Sequence, residues 1–439
     1  MRIRATVGLG RRAALFTCIA GAVCICAPGA HALIPPDGGG GSPFFVQYVG
    51  PQFGGWSTAS SWLNQSNQAQ TPFSGDDIYL GLSGGITTTD DIAGGLTTNF
   101  LDFISGSNFL TVASGSILNI SQNGVKVGAG ASATIEANGA GAAINLFNLT
   151  DPNSGTEEIA LANGGTFSIA IGNTGATIGS LQSDATGTTN LGGNQLTVGT
   201  TNQFSAYSGT IQGSGGSLKV AGGTLSLSNA NTYTGGTTVN AGTLYVTNSS
   251  GSATGTGNVT VNSGATIGGS GAIAGNLTVN SGATLTPGVF NTRTLGVGGS
   301  LTLGGTLAIQ LGGTNPGGVI NGYDQVKAAG ITLSGATLSL SLAFGFTPTA
   351  GQMFFILDNT SSDPLELTSG VFSNGATVTD NAGNLYSIGY TGADPGNSSG
   401  LPGRDIVLTA LVPEPSSYLL LLSAAAGTFL FRWFRRKAS

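Results

Sequence analysis

The sequence predicts an all-β fold: a right-handed parallel β-helix, or solenoid, with N-terminal and C-terminal apolar helical segments. Composition is the first observation. The 439 residues include 76 glycines and only 7% are charged, outside the ordinary globular range. Yet Val, Ile, Leu and Thr recur in short alternating runs, so the chain can bury apolar surface as a disordered chain cannot. A repeat is the second. LTVNSGATL from Leu277 restates VTVNSGATI from Val259, and LTVASGSIL from Leu110, LKVAGGTLSL from Leu218, LTLGGTLAI from Leu301 and ITLSGATLSL from Ile331 vary the theme. Each unit is a pair of short strands around a glycine turn, unable to hide its apolar face without its neighbours.

Taken in order, residues 1–32 read as a secretory signal peptide. Arg2, Arg4, Arg11 and Arg12 precede an apolar run from Ala13 to Ala27. That run is too short for a comfortable permanent span. Ala30-His31-Ala32 then places Ala30 and Ala32 at the two positions a signal peptidase reads, so cleavage would leave Leu33 first. The Arg11-Arg12 pair leaves Sec and twin-arginine export both open. Cys18, Cys24 and Cys26 all lie in this segment, so the mature chain would have no disulfide, thiolate metal site or cysteine nucleophile.

Residues 33–105 are expected to form an N-terminal cap and the first coils, with Trp56 and Trp62 as the plug over an otherwise open strand edge. A sugar-stacking aromatic platform is the alternative use of those rings. Residues 106–322 carry the repetitive β-helix. Units of about twenty residues are too short for four-stranded propeller blades. Coils of that size, stacked about 4.8 Å apart, would number some seventeen. Residues 323–411 close the helix. The segment 412–439 contains Val412, Pro413-Glu414-Pro415, an apolar stretch from Tyr418 to Phe431, and a basic end with Arg432, Arg435, Arg436 and Lys437. The apolar stretch is just long enough to lodge in a bilayer, and the basic end would hold it on the cytoplasmic side. The prolines keep the region before it extended.

The tail resembles a PEP-CTERM sorting signal, which implies cleavage by an exosortase after transient insertion through residues 418–431. Asn231 to Leu244, NTYTGGTTVNAGTL, resembles the autotransporter-associated β-strand repeat of passenger domains. From Tyr323, YDQVKAAGITLSGATLSLSLAFGFTPTAGQMFFILD and later RDIVLTAL are similar to the closing region of such passengers. Their ending typically carries Gly-Asn-Asp, whereas Gly403-Arg404-Asp405 stands here, so no ion-binding role passes to the loop from Asp394 to Asp405. The N-terminal pattern, Gly55-Trp56-Ser57, Ser61-Trp62-Leu63 and Gly75-Asp76-Asp77-Ile78, is similar to the opening cap of the same class. No stretch after Leu411 has the alternating strands of a membrane barrel, so exosortase processing is the expected delivery route.

Charge limits the function. Between the terminal segments only Lys126, Lys219, Arg293, Lys327 and Arg404 are basic, too few to neutralise a nucleic-acid backbone. Carbohydrate-active β-helices gather carboxylates in one groove. The pairs Asp76-Asp77, Asp90-Asp91 and Glu157-Glu158 are the candidates, but adjacent strand residues point to opposite faces. His31 precedes the expected cut, so neither a triad nor a zinc site can use it. No cofactor or catalytic residue is expected. Two readings follow: a non-enzymatic structural or adhesive protein of the cell surface, outer membrane or extracellular matrix, and, as the alternative, a carbohydrate-active or carbohydrate-binding β-helix acting on exopolysaccharide.

Overall fold

In a computed structural model of the chain, the described residues are 45–48, 53–55, 62–64, 76–80, 87–90, 96–103, 107–127, 132–149, 158–169, 175–199, 202–288, 293–318, 321–343, 345–360, 371–392 and 405–411. All belong to the unit Phe44–Ser439; the unit Met1–Pro43 lies outside them. The described residues form a parallel β-solenoid of short strands in four sheets.

Alternation is the cause. In Thr224–Leu227, Thr243–Val246 and Ser217–Val220 buried residues alternate with half-exposed ones, as a strand with one wet face requires. Buried positions then align from coil to coil. One column of the third sheet runs Ile178, Val198, Val220, Val239, Val261, Val279, Leu303, Leu333. Each such side chain contributes about 1.5–3 kcal/mol by leaving water. Since a lone coil leaves its column open above and below, stability resides in stacking.

The cross-section changes along the axis. The first sheet begins with Phe45–Tyr48, which pairs parallel to Asp76–Leu80 and antiparallel to Trp62–Asn64, and it ends at Thr210–Gln212. The second sheet begins at Phe53–Gly55 and runs parallel, thirteen levels deep, to Thr337–Leu342. The third, from Ala176–Ile178 to Ile331–Leu333, stacks eight turns. The fourth starts at Ala272–Ile273 and accepts Met353–Asn359 in parallel before turning antiparallel through Asp405–Ala410, Leu385–Gly392 and Thr377–Thr379. This closing region has an aromatic core. Phe354 meets Tyr323 at 5.4 Å, Phe346 at 6.0 Å and Tyr386 at 6.2 Å between ring centroids, all edge to face.

One expectation changes and another gains no support. Among the described residues the second sheet counts thirteen parallel levels where about seventeen coils were expected, and Asp405–Ala410, Leu385–Gly392 and Thr377–Thr379 go to an antiparallel closure instead. The expected terminal helical segments gain no support, since no helix occurs among the described residues, whose period of two commits them to strand. Nor is any of them part of a helix long and apolar enough to cross a membrane. The segments 13–27 and 418–431 themselves lie outside the described residues.

Candidate functional site

The outward positions of the third sheet form a column of their own: Thr177, Thr197, Lys219, Thr238, Thr260, Thr278, Thr302 and Thr332. β-Branched threonine suits a pleated, half-buried face and leaves a hydroxyl toward water. Beside this column stands an exposed amide ladder. Asn262 Nδ2 donates to Asn240 Oδ1 at 2.7 Å and Asn280 Nδ2 to Asn262 Oδ1 at 3.0 Å. The second sheet presents another column, Thr224, Thr243, Thr266, Thr284, Thr306 and Thr337. Phe204 heads it, in register with Thr224 and 60% exposed. Earlier coils use the same side-chain pairing, with Asn145 donating to Asn119 at 2.8 Å and Asn163 to Asn138 at 2.9 Å.

One coil carries a denser polar arrangement. In the inward column Leu196, Leu218, Thr237, Val259, Leu277, a single polar residue interrupts the aliphatic series. The fully buried Tyr233 explains it, since its hydroxyl lies 2.6 Å from Thr237 Oγ1. Burial also pushes the Tyr233 hydroxyl above its ordinary range, which keeps it protonated and able to donate. Asn231, 4% exposed, accepts from the Ile211 amide at 2.6 Å and donates to Ala253 O at 2.5 Å, so one side chain joins the coils on either side. Gly236 has φ +89°, and a Cβ there would lie 2.8 Å from Asn258 O. Only glycine takes that corner without a shift.

The charged groups hold structure. Burial pushes the Asp324 carboxyl up to about 7, against hydrogen bonds from the Arg293 and Gln310 amides. At Asp380 burial acts upward, but donors on Asn384, Tyr386 and Ala382 outweigh it and hold the carboxyl below the usual range. Asp184 is likewise held down, chiefly by the Thr186 hydroxyl and the Asn163 amide. Lys327 Nζ lies 2.8 Å from Asp358 Oδ2 across paired strands. Asp405, from the variant ending, accepts the Asn359 amide at 2.9 Å. Among the described residues no group of three or more His, Cys, Asp or Glu side chains could hold a metal.

Comparison with known proteins bears on these features. The passenger-associated transport repeat family matches residues 222–246, and the PEP-CTERM protein-sorting motif matches residues 411–437. The chain carries a passenger-type repeat and a PEP-CTERM sorting motif. Over 100 residues it is 35% identical to the Adhesin BmaC autotransporter of Brucella suis biovar 1 (strain 1330). That stretch is 23% of this chain and 3% of the adhesin, so the chain spans only a small part of the relative's length.

The passenger-type repeat contains the Asn231, Tyr233, Gly236 and Thr237 constellation, whose residues serve packing and coil linkage. The sorting motif includes Pro413, Glu414, Pro415 and the basic Arg432, Arg435, Arg436 and Lys437; these residues, like Ala30 and Ala32, lie outside the described residues. So do Trp56, Asp91 and Glu157. Asp76 and Asp77 fall on Asp76–Leu80, Asp90 ends Thr87–Asp90 and is buried, and Glu158 begins Glu158–Ala162. Apolar alternation in the repeats implies that threonine and asparagine face outward, and the structure aligns those threonines into columns. Their signal was the repeated N-x-T-x-N of residues 258–262 and 276–280.

Proposed function

We propose that this chain is an exported, non-enzymatic structural and adhesive protein of the bacterial cell surface or extracellular matrix. The observation that carries the reading is the set of outward threonine and asparagine columns on two sheets, a long polar surface in which Lys219 interrupts otherwise uncharged columns. The passenger-type repeat and the likeness to an adhesin support it, as does the sorting motif. In this reading signal peptidase cuts after Ala32, residues 418–431 lodge transiently in the inner membrane, and exosortase releases the chain near Pro413-Glu414-Pro415. Exopolysaccharide is the surrounding material that a face of hydroxyls and amides would meet. The winding is inferred to be right-handed, the hand of nearly all parallel β crossovers.

Two measurements test this. Mass spectrometry of the C-terminus in surface and medium fractions should find chains ending before Arg432. Retention of Arg432 to Ser439 on most surface molecules would sink the exosortase step. Cells lacking the chain should also be washed more readily from polysaccharide-coated surfaces than cells that display it. Equal retention would remove the adhesive role.

A further inference from the structure

We propose that residues between Ser373 and Asn381, with the side chains of Asn374 and Asn381 as fastenings, form an autoinhibitory clamp on the last strand edge of the second sheet, and that opening the clamp lets this edge pair with the same edge of a second copy. Thr337–Leu342 pairs on one side with Thr306–Leu311. Its other side meets no continuous strand and is closed contact by contact. The Ser373 amide donates to Ala336 O at 2.7 Å. Asn374 Oδ1 accepts from the Leu338 amide at 2.7 Å, and its Nδ2 donates to Leu338 O at 3.0 Å. A backbone bridge joins Leu340 to Asp380. Asn381 Oδ1 accepts from the Leu342 amide at 2.9 Å. Because alternate residues of a strand turn their backbone groups to one edge, contacts at 336, 338, 340 and 342 occupy every such position.

Two further observations make this a clamp and not simply a turn. Between these contacts an open groove of about 570 Å³ separates Thr337–Leu340 from Thr377–Thr379. Backbone meets this edge at Ala336 and Leu340, while at Leu338 and Leu342 asparagine side chains stand in for a paired strand. The first sheet ends by the same device, where Asn231 takes the amide of Ile211 in its last strand. The occupant follows from the strand's composition. Ala336 to Leu342 reads ATLSLSL, uncharged and strictly alternating, which is the character of edges that self-pair when exposed. An antiparallel pair of such strands is self-complementary about a two-fold axis, so the complex closes at two copies. No like charges within the strand oppose it.

The full chain carrying Asn374→Ala and Asn381→Ala, in mild detergent, should show a mass that doubles with concentration by light scattering. The unaltered chain should keep its mass over the same range. In dilute variant the Leu338 and Leu342 amides should exchange about tenfold faster with deuterium, and regain protection as the dimer forms. Adding Ser339→Lys and Ser341→Lys should restore the single-copy mass, because charge on an edge strand opposes pairing. A folded double variant with unchanged mass overturns the proposal, and so does association that the lysines leave intact. If the double variant does not fold, Asn381→Ala alone must still double its mass at higher concentration; an unchanged mass there overturns the proposal equally.

Discussion

At the scale of the residue, Asp324 is a carboxyl group whose neighbours pull in opposite directions. Two backbone amides point at it and favour the anion, while burial favours the acid and prevails. Its folded value near 7 stands above the ordinary 3.8, so between about pH 4 and pH 7 the folded chain holds the proton more firmly than the unfolded one. Stability from this group is therefore full at the acid end of that window and lost as pH rises through it. Asp184 and Asp380 have the opposite sign, giving stability that disappears on acidification below the usual carboxylate range. The thermal midpoint should rise on going from pH 8 to pH 5, and Asp324→Asn should flatten the profile there. A variant that keeps the full slope would assign it elsewhere. None of this was legible in the sequence, because both the burial of Asp324 and the Arg293 and Gln310 amides that oppose it arise only on folding.

At the scale of the element, strands were legible and their sheet membership was not. Alternation in VTVNSGATI and LTVNSGATL marks each strand and its buried face, since the period of two is local. The handover from first to third sheet depends on which coil lies beneath, and no local pattern records that. Resemblance marked residues 231–244 as a repeat but gave no reason for Thr237 in an aliphatic column; Tyr233 supplies it. Asn231 lies at the handover, bonded to Ile211 on one side and Ala253 on the other. Asn231→Leu keeps the branching and heavy-atom count of the side chain and leaves both backbone groups buried without the Asn231 partner, so it should cost about 2–4 kcal/mol. The outward Thr260→Ser should cost well under about 1 kcal/mol. Denaturant melts of the two variants side by side would show it, and equal losses would remove the linking role given to Asn231.

At the scale of the whole molecule, the solenoid is a series of nearest-neighbour contacts, and its coils are close to interchangeable where their registers match. Val261 and Val279 occupy one column, as do Ile267 and Leu285. Excising residues 262–279 would join Val261 to Asn280 and leave both columns in phase. That deletion should retain the far-ultraviolet spectrum of the parent with a modest loss of thermal stability. Excising only residues 262–270 would throw the third sheet out of phase and should abolish folding. If both deletions fold alike, stacking in register is not what holds the chain together.

The parallel stacking also decides how such a chain behaves under load. Strain applied between two anchored ends pulls on the last coil before any other, because each coil is fastened only to its neighbour. When that coil yields, it exchanges about 4.8 Å of axial rise for about twenty residues of extended chain, on the order of 65 Å. Held at both ends, a solenoid of this kind would lengthen in steps, dissipating a steady pull turn by turn.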